Sequence, residues 1–364
     1  MEEEPEEARN CSEPDFPNEK NKDLFAAHSV IAIISVLGII GNGISGVVLN
    51  MPQMRSSYNL LLFALTVSDS TQLFFFCLSY GSQALWYLDI ISQPELISPI
   101  YPFALFCFYV AHTISIHITV LLSFERYIAV CKPFKAHKVF PTKRRSCCYI
   151  LIVSIFSILF NLPKWLELEL CQVKMKVSNP LQPSSWSHYR INNTGPGVNP
   201  AADDPPYVLK EVVVYTRFFH DGVYRIVYRQ VIDYAVNFIT PIVFIIVFNI
   251  WISKEIRQAN LRRQSLTLIQ LNDSSKTLML IGVVFAICVS PAWLLVKFLL
   301  HRINVCVPGS VMSCQRITIV LLAFNASINF VIYCLCGSKF RQQLLLLLGQ
   351  LLQWTLGIFR RNKH

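Results

Sequence analysis

The chain has 364 residues, of which 53% are hydrophobic and only 15% are charged, and its formal net charge at pH 7 is +10. Soluble globular proteins carry about 25% charged residues, so the composition excludes an ordinary soluble protein and indicates an integral membrane protein. The basic residues form no stripe interleaved with aromatic residues outside the loops, and we therefore expect no nucleic-acid partner.

A helix that crosses the hydrocarbon core of a bilayer needs about 20 apolar residues, and the sequence contains seven stretches of this kind. They cover residues 28–49, 58–78, 99–130, 147–162, 228–252, 277–300 and 316–335. We therefore predict an all-α membrane protein, a seven-transmembrane helix bundle within residues 28–337.

Lysine and arginine accumulate in the segments that follow the odd-numbered stretches, which hold 17 basic and two acidic residues. Short cytoplasmic loops are enriched in basic residues, so these segments and the C-terminus are predicted to lie inside the cell. Residues 1–27 carry nine acidic and three basic residues and are predicted to be an extracellular tail. The tail has no basic and apolar region before the first stretch, so we expect no cleaved signal peptide. Asn10 and Asn192 are glycosylation acceptors on the outer side.

Four cysteines also fall on the predicted outer side. An even number permits disulfides in an oxidising compartment, and four cysteines allow three pairings. Cys306 and Cys314 bracket a short loop and are favoured as one pair, which leaves Cys171 with Cys11.

Two long segments lie outside the predicted spans. The outer loop of residues 164–227 contains six prolines, and we expect a structured start near Cys171, a mobile middle and a return segment of β-branched and aromatic character. Residues 338–364 begin with a leucine-rich stretch that carries basic residues at both ends. They are predicted to form a C-terminal amphipathic helix on the inner membrane surface, with membrane lipid as its partner, followed by a short tail.

Polar side chains inside the predicted spans are few, and an ionisable one is a candidate functional residue because the membrane disfavours it. Asp69 lies in the middle of the second span, at a depth similar to Asn42, Ser115, Asn325 and Asn329. Asn325 and Asn329 are four residues apart, so they are predicted to share one helix face. The set suits a small cation such as sodium, and it equally suits a hydrogen-bonded polar seam between helices. Spacing alone leaves both interpretations open.

Glu125, Arg126 and Tyr127 stand at the inner end of the third span, and Phe134 follows seven residues later. This pattern resembles the Asp/Glu-Arg-Tyr motif of the rhodopsin-like (class A) G-protein-coupled receptors. The resemblance implies that Arg126 locks the inactive state and meets a heterotrimeric G protein, and that Phe134 inserts into that partner.

Residues in the other spans also resemble this family, which tilts the interpretation of the polar set towards an allosteric sodium ion. The resemblance implies an activation relay formed by Ile116, Pro241 and Phe285, and a helix kink at Pro291. Tyr333 is similar to the tyrosine of the family's Asn-Pro-x-x-Tyr motif. The resemblance as a whole implies a receptor in the plasma membrane, with seven helices between about residues 38 and 340.

The sequence departs from the family at several positions, and the fourth span lacks its usual tryptophan. Phe330 replaces the proline of the seventh-helix motif, Val289 replaces the expected tryptophan of the sixth helix, and Tyr101 replaces the third-helix cysteine of the outer disulfide. Activation is therefore not expected to pass through an indole ring, and Cys171 loses its usual partner.

Three runs resemble the FMRFamide-type neuropeptide receptors: FNLPKW at 160–165, YRIVYR at 224–229 and RRQSLT at 262–267. The resemblance implies an extracellular amidated Arg-Phe peptide as ligand, which needs a carboxylate for its guanidinium and an aromatic slot for its ring. Glu167 or Asp233 is predicted to supply the carboxylate. The slot is predicted to be lined by Phe108, His112 and Trp293.

Two other functions stay open. A chemosensory receptor of the same fold for a small ligand is one alternative, and Lys297 would suit an acidic ligand. A membrane transporter is a remote alternative, because transporters usually contain internal repeats and none is visible. The sequence has no metal-spaced cluster and no nucleophile-base pair, so we expect no enzymatic activity and no cofactor other than the sodium ion.

Overall fold

The computed structural model describes residues 22–88, 101–132, 143–176, 207–261, 275–291 and 309–361. The helices in chain order are α1 (Lys22–Leu49), α2 (Ser57–Phe76), α3 (Ser82–Tyr87), α4 (Tyr101–Cys131), α5 (Lys143–Trp165), α6 (Arg217–His220), α7 (Thr240–Leu261), α8 (Ser275–Pro291), α9 (Gly309–Ser327), α10 (Asn329–Cys336) and α11 (Ser338–Arg361). The strands are β1 (Leu168–Lys176) and β2 (Tyr207–Tyr215). A 3-10 turn covers Pro52–Met54, and π-helical turns cover Cys77–Gly81, Tyr224–Ile232 and Ala235–Ile239.

The described helices reproduce the predicted spans in order. Five helical segments are long and apolar enough to cross a membrane: Phe25–Leu49, Ser57–Leu85, Pro102–Cys131, Lys143–Trp165 and Tyr224–Gln258. Helices α9 and α10 together make a sixth, and α8, the described part of the predicted sixth stretch, is a shorter apolar helix. The prediction of a seven-transmembrane helical fold is confirmed.

The membrane helices turn apolar side chains outward and bury most of their polar ones. In α5, Ser157 and Asn161 are fully buried, whereas Leu151 and Leu159 are 60% and 63% exposed. The Asn161 side chain donates to Thr113 Oγ1 of α4 at 2.9 Å. Because lipid tails are as apolar as leucine, helices in a membrane associate through such close packing and interhelical hydrogen bonds. The exposed apolar faces therefore mark the side that meets lipid.

The predicted outer loop adds an antiparallel β-hairpin to the predicted all-α membrane bundle. Strand β1 pairs with β2 in a register that aligns Leu168 with Tyr215 and Cys171 with Val212. Three consecutive valines, residues 212–214, favour extended backbone in β2. The hairpin follows α5 almost directly and leads through α6 into the fifth span.

The fifth span begins with π-helical turns before α7. It starts at Tyr224, four residues before the start predicted from hydropathy. Pro241 follows these turns closely, and a proline inside a continuous helix removes one backbone hydrogen bond and disturbs the regular winding. Short π-helical turns are frequent at functional sites. The two turns before α7 carry Arg229 and Asn237, polar residues that are discussed below.

The seventh span is bent by 43° between Ser327 and Asn329, although Phe330 replaces the family's proline. The Ser327 hydroxyl lies 2.7 Å from the Ala323 carbonyl and 3.1 Å from the Ile34 carbonyl of α1. A serine that bonds back to the carbonyl four residues earlier commonly bends its helix. Asn325 precedes the bend and Asn329 follows it.

Helix α11 is the predicted amphipathic helix, and it is anchored to the end of the bundle. Phe340 is buried and lies 5.5 Å from the ring of Tyr333. The Arg341 guanidinium donates to the carbonyls of Cys334 and Leu335 at 3.0 and 2.7 Å, which caps the end of α10. The exposed apolar side chains farther along α11 are Leu345, Leu346, Leu348, Leu351 and Leu352.

Candidate functional site

The Arg126 guanidinium at the inner end of α4 lies between an acid and an aromatic ring. Its Nε atom is 2.9 Å from the carboxylate of the preceding Glu125, and its central carbon lies 3.7 Å from the ring centroid of Tyr58 in α2. Both charged side chains are buried. The two contacts hold the arginine along α2, and the Tyr58 contact has no counterpart in the sequence prediction.

Two tyrosines that are also predicted to belong to the inner site, Tyr127 and Tyr333, pack against different helices. Tyr127 stacks on Phe248 of α7, with ring centroids 5.3 Å apart, and lies 5.1 Å from Trp251. Tyr333 is buried in the inner core beside Phe340. Tyr127 thus joins α4 to α7, and Tyr333 joins α10 to α11. Phe134 lies outside the described residues.

Asp69 is buried in the middle of the bundle and is hydrogen-bonded from two sides. Ser115 Oγ of α4 donates to Asp69 Oδ1 at 2.6 Å, and Asn329 Nδ2 of α10 donates to Oδ2 at 2.6 Å. Asn42 donates to the Ala326 carbonyl at 3.0 Å, and its own carbonyl oxygen is buried without a hydrogen-bond partner among the described residues. The structure brings Asp69, Ser115 and Asn329 into contact, and an oxygen ligand is left over at Asn42.

Asn325 is the remaining member of the predicted polar set. It is partly exposed and lies on the outer side of the bend that separates α9 from α10. The direct contact to Asp69 comes from Asn329, which follows the bend.

Two residues of the predicted activation relay, Ile116 and Phe285, share one apolar cluster in the middle of the bundle. Ile116 and Phe285 pack together with the fully buried Val289, the residue that replaces the expected tryptophan. Pro241 is buried at the start of α7. Pro291 is the last residue of α8, so the helix beyond this predicted kink lies outside the described residues. Valine leaves the centre of the cluster aliphatic.

Glu167 follows α5 directly and is almost completely buried among groups from the fifth span. The Arg229 guanidinium meets it through two nitrogens, Nε at 2.9 Å and Nη2 at 3.0 Å. The Tyr224 hydroxyl donates to the same carboxylate at 2.5 Å. A two-point contact between guanidinium and carboxylate is a strong, geometrically specific pair. Glu167 therefore has a cation from its own chain.

Asp233 is likewise buried and paired. The Lys164 ammonium group lies 2.9 Å from Asp233 Oδ1, and Asn237 donates to the same oxygen at 2.7 Å. Lys164 also lies 4.3 Å from the ring centroid of Tyr109 in α4. The pair ties the outer end of α5 to the π-helical start of the fifth span.

The aromatic slot predicted from the sequence lies on α4. Phe108 and His112 are stacked, with ring centroids 5.8 Å apart and ring planes within 8° of parallel. Phe76 of α2 packs 4.8 Å from Phe108. Tyr109, next to Lys164, lies 5.4 Å from Phe108. The aromatic group and the Lys164–Asp233 pair are therefore neighbours.

A buried amide at one end of this aromatic group was not anticipated from the sequence. Gln72 Oε1 lies 3.3 Å from His112 Nδ1, and Gln72 Nε2 is buried without a hydrogen-bond partner among the described residues. Burying an unpaired amide N–H is unfavourable by about 1–3 kcal/mol. The only sequence signal for Gln72 as a candidate site residue is that its polar side chain lies within an apolar predicted span.

Several predicted site residues cannot be located. Trp293, Lys297, Asn10, Asn192, Cys11 and Cys306 lie outside the described residues, and only the backbone is described at Cys171 and Cys314. The predicted disulfide pairs and glycosylation sites stay predictions.

Comparisons with known proteins agree with this architecture. A model of the family described as "7 transmembrane receptor (rhodopsin family)" matches residues 44–181. The FMRFamide receptor of Drosophila melanogaster is 27% identical over 329 residues, which is 87% of this chain and 53% of that receptor. An FMRFamide peptide receptor of Caenorhabditis elegans is 32% identical over 142 residues, 38% of this chain and 32% of the relative. The Sex peptide receptor of Drosophila melanogaster is 23% identical over 337 residues, 84% of this chain and 68% of the relative.

The chain spans about half of the length of the Drosophila FMRFamide receptor and about a third of that of the nematode relative. All three relatives are named as receptors, which confirms the prediction that the chain is not an enzyme. Over residues 44–181 the chain resembles the rhodopsin family of seven-transmembrane receptors, and over a longer stretch it is similar to receptors named for FMRFamide.

Proposed function

We propose that the chain is a plasma-membrane receptor for an extracellular amidated Arg-Phe peptide and that it signals through a heterotrimeric G protein. Its N-terminus lies outside the cell and its C-terminus inside. The proposal rests on three groups around the outer half of α4. They are the Asp233 carboxylate of the fifth span, the aromatic pair Phe108–His112 of α4 itself and the unpaired Gln72 amide of α2. The similarity to receptors named for FMRFamide supports it.

The three parts suit the three chemical groups of such a peptide end. A carboxylate binds the guanidinium, stacked aromatic rings receive the phenylalanine ring, and a buried N–H donor bonds the carbonyl of the terminal amide. Gln72 Nε2 is the donor, because His112 lies against the Gln72 oxygen.

Asp233 is a better candidate than Glu167 for the ligand guanidinium. Lys164 meets Asp233 through a single nitrogen, so an incoming guanidinium replaces a one-point contact with a two-point contact. Glu167 already has a two-point contact with Arg229, so exchange there gains nothing. Lys164 is one residue from the end of α5, and its long side chain can turn out to water at the membrane boundary.

The exchange would couple ligand binding to the bundle. Breaking the Lys164–Asp233 pair releases α5 from the π-helical turns that precede α7, and Asn237 of those turns contacts Asp233. The same span carries Phe238, which packs with Ile116 and Phe285 in the central cluster. A ligand that prefers the released arrangement shifts the population towards it. The inner contacts of Arg126 would then yield to the G protein.

A sodium ion at Asp69 is a further part of this proposal. Asp69, Ser115, Asn42, Asn325 and Asn329 would hold it, and the unpaired Asn42 carbonyl oxygen supports the fit because sodium prefers oxygen ligands. The bound ion would supply a positive charge that compensates the buried carboxylate. Without it, the hydrogen bonds from Ser115 and Asn329 stabilise the same residue.

A reporter assay tests the proposal. Cells that express the chain with a panel of G proteins are challenged with FMRFamide, its free-acid form and an analogue in which citrulline replaces arginine. Citrulline keeps the shape of arginine and removes its charge. We expect activation by the amide and at least tenfold weaker responses to both analogues. Equal responses to all three peptides, or none to any of them, would exclude an amidated Arg-Phe ligand.

One observation favours the chemosensory alternative. Both buried carboxylates of the outer half are already neutralised by cations of the chain, which suits a small uncharged ligand. The same cells distinguish the alternatives, because a chemosensory receptor would respond to a volatile or small apolar compound and ignore all three peptides.

A further inference from the structure

Two adjacent cysteines lie on the lipid-facing side of α5, near its basic end. Cys147 and Cys148 are both exposed, whereas Ser146 beside them is fully buried. Among the described cysteines these are the ones in the exposed class; the others are buried or partly buried. The helix therefore turns both thiols outward, away from the bundle.

The face of α5 that carries these thiols continues as an apolar stripe. Side chains three or four positions apart lie on one side of a helix, and exposed apolar side chains continue from Cys147 and Cys148 at these spacings. They are Leu151 (60%), Ile152 (62%), Ile155 (48%), Ile158 (45%), Leu159 (63%) and Leu162 (50%). The stripe from residue 151 to 162 is about 17 Å long, comparable with one leaflet of the roughly 30 Å hydrocarbon core.

The helix begins with three exposed cations, Lys143, Arg144 and Arg145. They mark the membrane boundary on the side that the proposed orientation assigns to the cytoplasm. A basic cluster there attracts anionic lipid headgroups and the phosphate groups of coenzyme A thioesters.

We infer that Cys147 and Cys148 are sites of S-acylation by a long-chain fatty acid. A cysteine sulfur attacks the thioester carbonyl of a long-chain acyl coenzyme A. A new carbon–sulfur bond forms to the cysteine, the bond to coenzyme A breaks, and the proton of the cysteine thiol ends on the released coenzyme A thiol. The acyl chain then lies along the exposed stripe of α5 in the inner leaflet. Juxtamembrane cysteines are common acceptors of this modification.

A second pair of cysteines makes a matched control. Cys334 and Cys336 lie near the opposite inner corner, at the end of α10, and are only partly exposed. Arg341 of α11 covers this end by bonding to the Cys334 carbonyl. The geometry therefore favours the α5 pair over the pair beside the surface helix.

The experiment counts acylated cysteines in the full-length receptor expressed in cells. Free thiols are blocked, thioesters are cleaved with hydroxylamine, and each released thiol receives a polyethylene-glycol maleimide that shifts the protein on a gel. We expect a hydroxylamine-dependent shift in the wild-type chain that is lost in C147S/C148S and kept in C334S/C336S. No shift in the wild-type chain, or a shift that is unchanged in C147S/C148S, would overturn the inference.

Two readouts separate this inference from the proposed orientation and from folding. A membrane-impermeant maleimide should label Cys147 and Cys148, after hydroxylamine treatment, only in permeabilised cells; labelling in intact cells would contradict the orientation instead. Surface expression of C147S/C148S, measured with an extracellular tag, should match that of C334S/C336S, so a lost shift reports the missing thiols.

Discussion

The Lys164 ammonium group lies 2.9 Å from a carboxylate oxygen of Asp233, and both side chains are almost completely buried. The pair connects the end of α5 with the π-helical turns of the fifth span, and the Arg229–Glu167 pair reinforces the same junction. The sequence has Tyr101 where the family's outer disulfide has a cysteine. Two buried ion pairs thus join the end of α5 and the residue Glu167 that follows it to the start of the fifth span.

The Asp233→Asn variant should be markedly less stable than the wild-type receptor. It leaves the Lys164 ammonium group without its carboxylate, and breaking one partner of a buried pair costs up to about 3–5 kcal/mol, or less where the lysine side chain extends to water. The midpoint of thermal unfolding in detergent, followed by exposure of buried cysteines, measures the loss. The swapped double variant K164D/D233K restores opposite charges and should recover part of the stability. A swapped variant no more stable than D233N would argue against direct pairing.

The ring of Tyr58 should restrain basal signalling. A cation–π contact with Arg126 at 3.7 Å is worth about 1 kcal/mol at a partly shielded site, which is roughly fivefold in the ratio of two states. Tyr58→Leu removes the ring and should raise ligand-independent G-protein activation by about that factor. Tyr58→Phe keeps the ring and should stay near the wild-type level. Equal increases in both variants would assign the effect to the hydroxyl group.

Gly38 should be intolerant of a side chain, unlike Gly43 in the same helix. A Cβ atom at Gly38 would lie 2.3 Å from the Ser327 hydroxyl and 2.7 Å from Leu73 Cδ1, whereas one at Gly43 meets nothing within 4 Å. Gly38→Ala should lower the stability by about 1–3 kcal/mol through overpacking. Gly43→Ala should leave it unchanged or raise it by up to about 1 kcal/mol, because alanine favours helix. Similar thermal midpoints for the two variants would contradict the close α1–α9 contact.

Sodium should lower the affinity for agonist, and Asp69 should be required for that effect. FMRFamide binding is compared in sodium chloride and in N-methylglucamine chloride at equal ionic strength. The wild-type receptor should bind more weakly in sodium, and Asp69→Asn should bind equally in both salts. Ser115→Ala keeps the carboxylate and removes one contact at 2.6 Å, so its sodium effect should be reduced but present. If agonist affinity in D69N still depended on sodium, Asp69 would have only the role of a hydrogen-bonded polar residue between helices.

The spans and the inner motif could be predicted from the sequence because both depend on local signals. Hydropathy locates a membrane helix whatever its neighbours are, and Glu125-Arg126-Tyr127 is a continuous motif. The outer site depends on contacts between distant segments. Lys164 and Asp233 are 69 residues apart. The sequence indicated Asp233 as a candidate carboxylate for the ligand but did not indicate that it pairs with Lys164.

Two backbone features also escaped prediction for a physical reason. The bend before Asn329 needs no proline, since Ser327 bonds to a carbonyl of its own helix and lies beside one of α1. The hairpin depends on pairing between segments whose nearest ends, Lys176 and Tyr207, are 31 residues apart, and local propensity alone does not fix such pairing.

The central claim is that a ligand guanidinium takes the place of Lys164 at Asp233, and binding of FMRFamide to K164M tests it most directly. Saturation binding measures affinity on the folded receptor alone, so a loss of stability does not enter. Removing the competing cation in K164M should raise the affinity for FMRFamide by roughly tenfold, equivalent to about 1.4 kcal/mol. D233N should lower it by about 30-fold or more, because a buried charge pair with the ligand is lost. The citrulline analogue should lose its disadvantage in D233N. Weakened binding in K164M, with the preference for arginine over citrulline unchanged in D233N, would contradict the account.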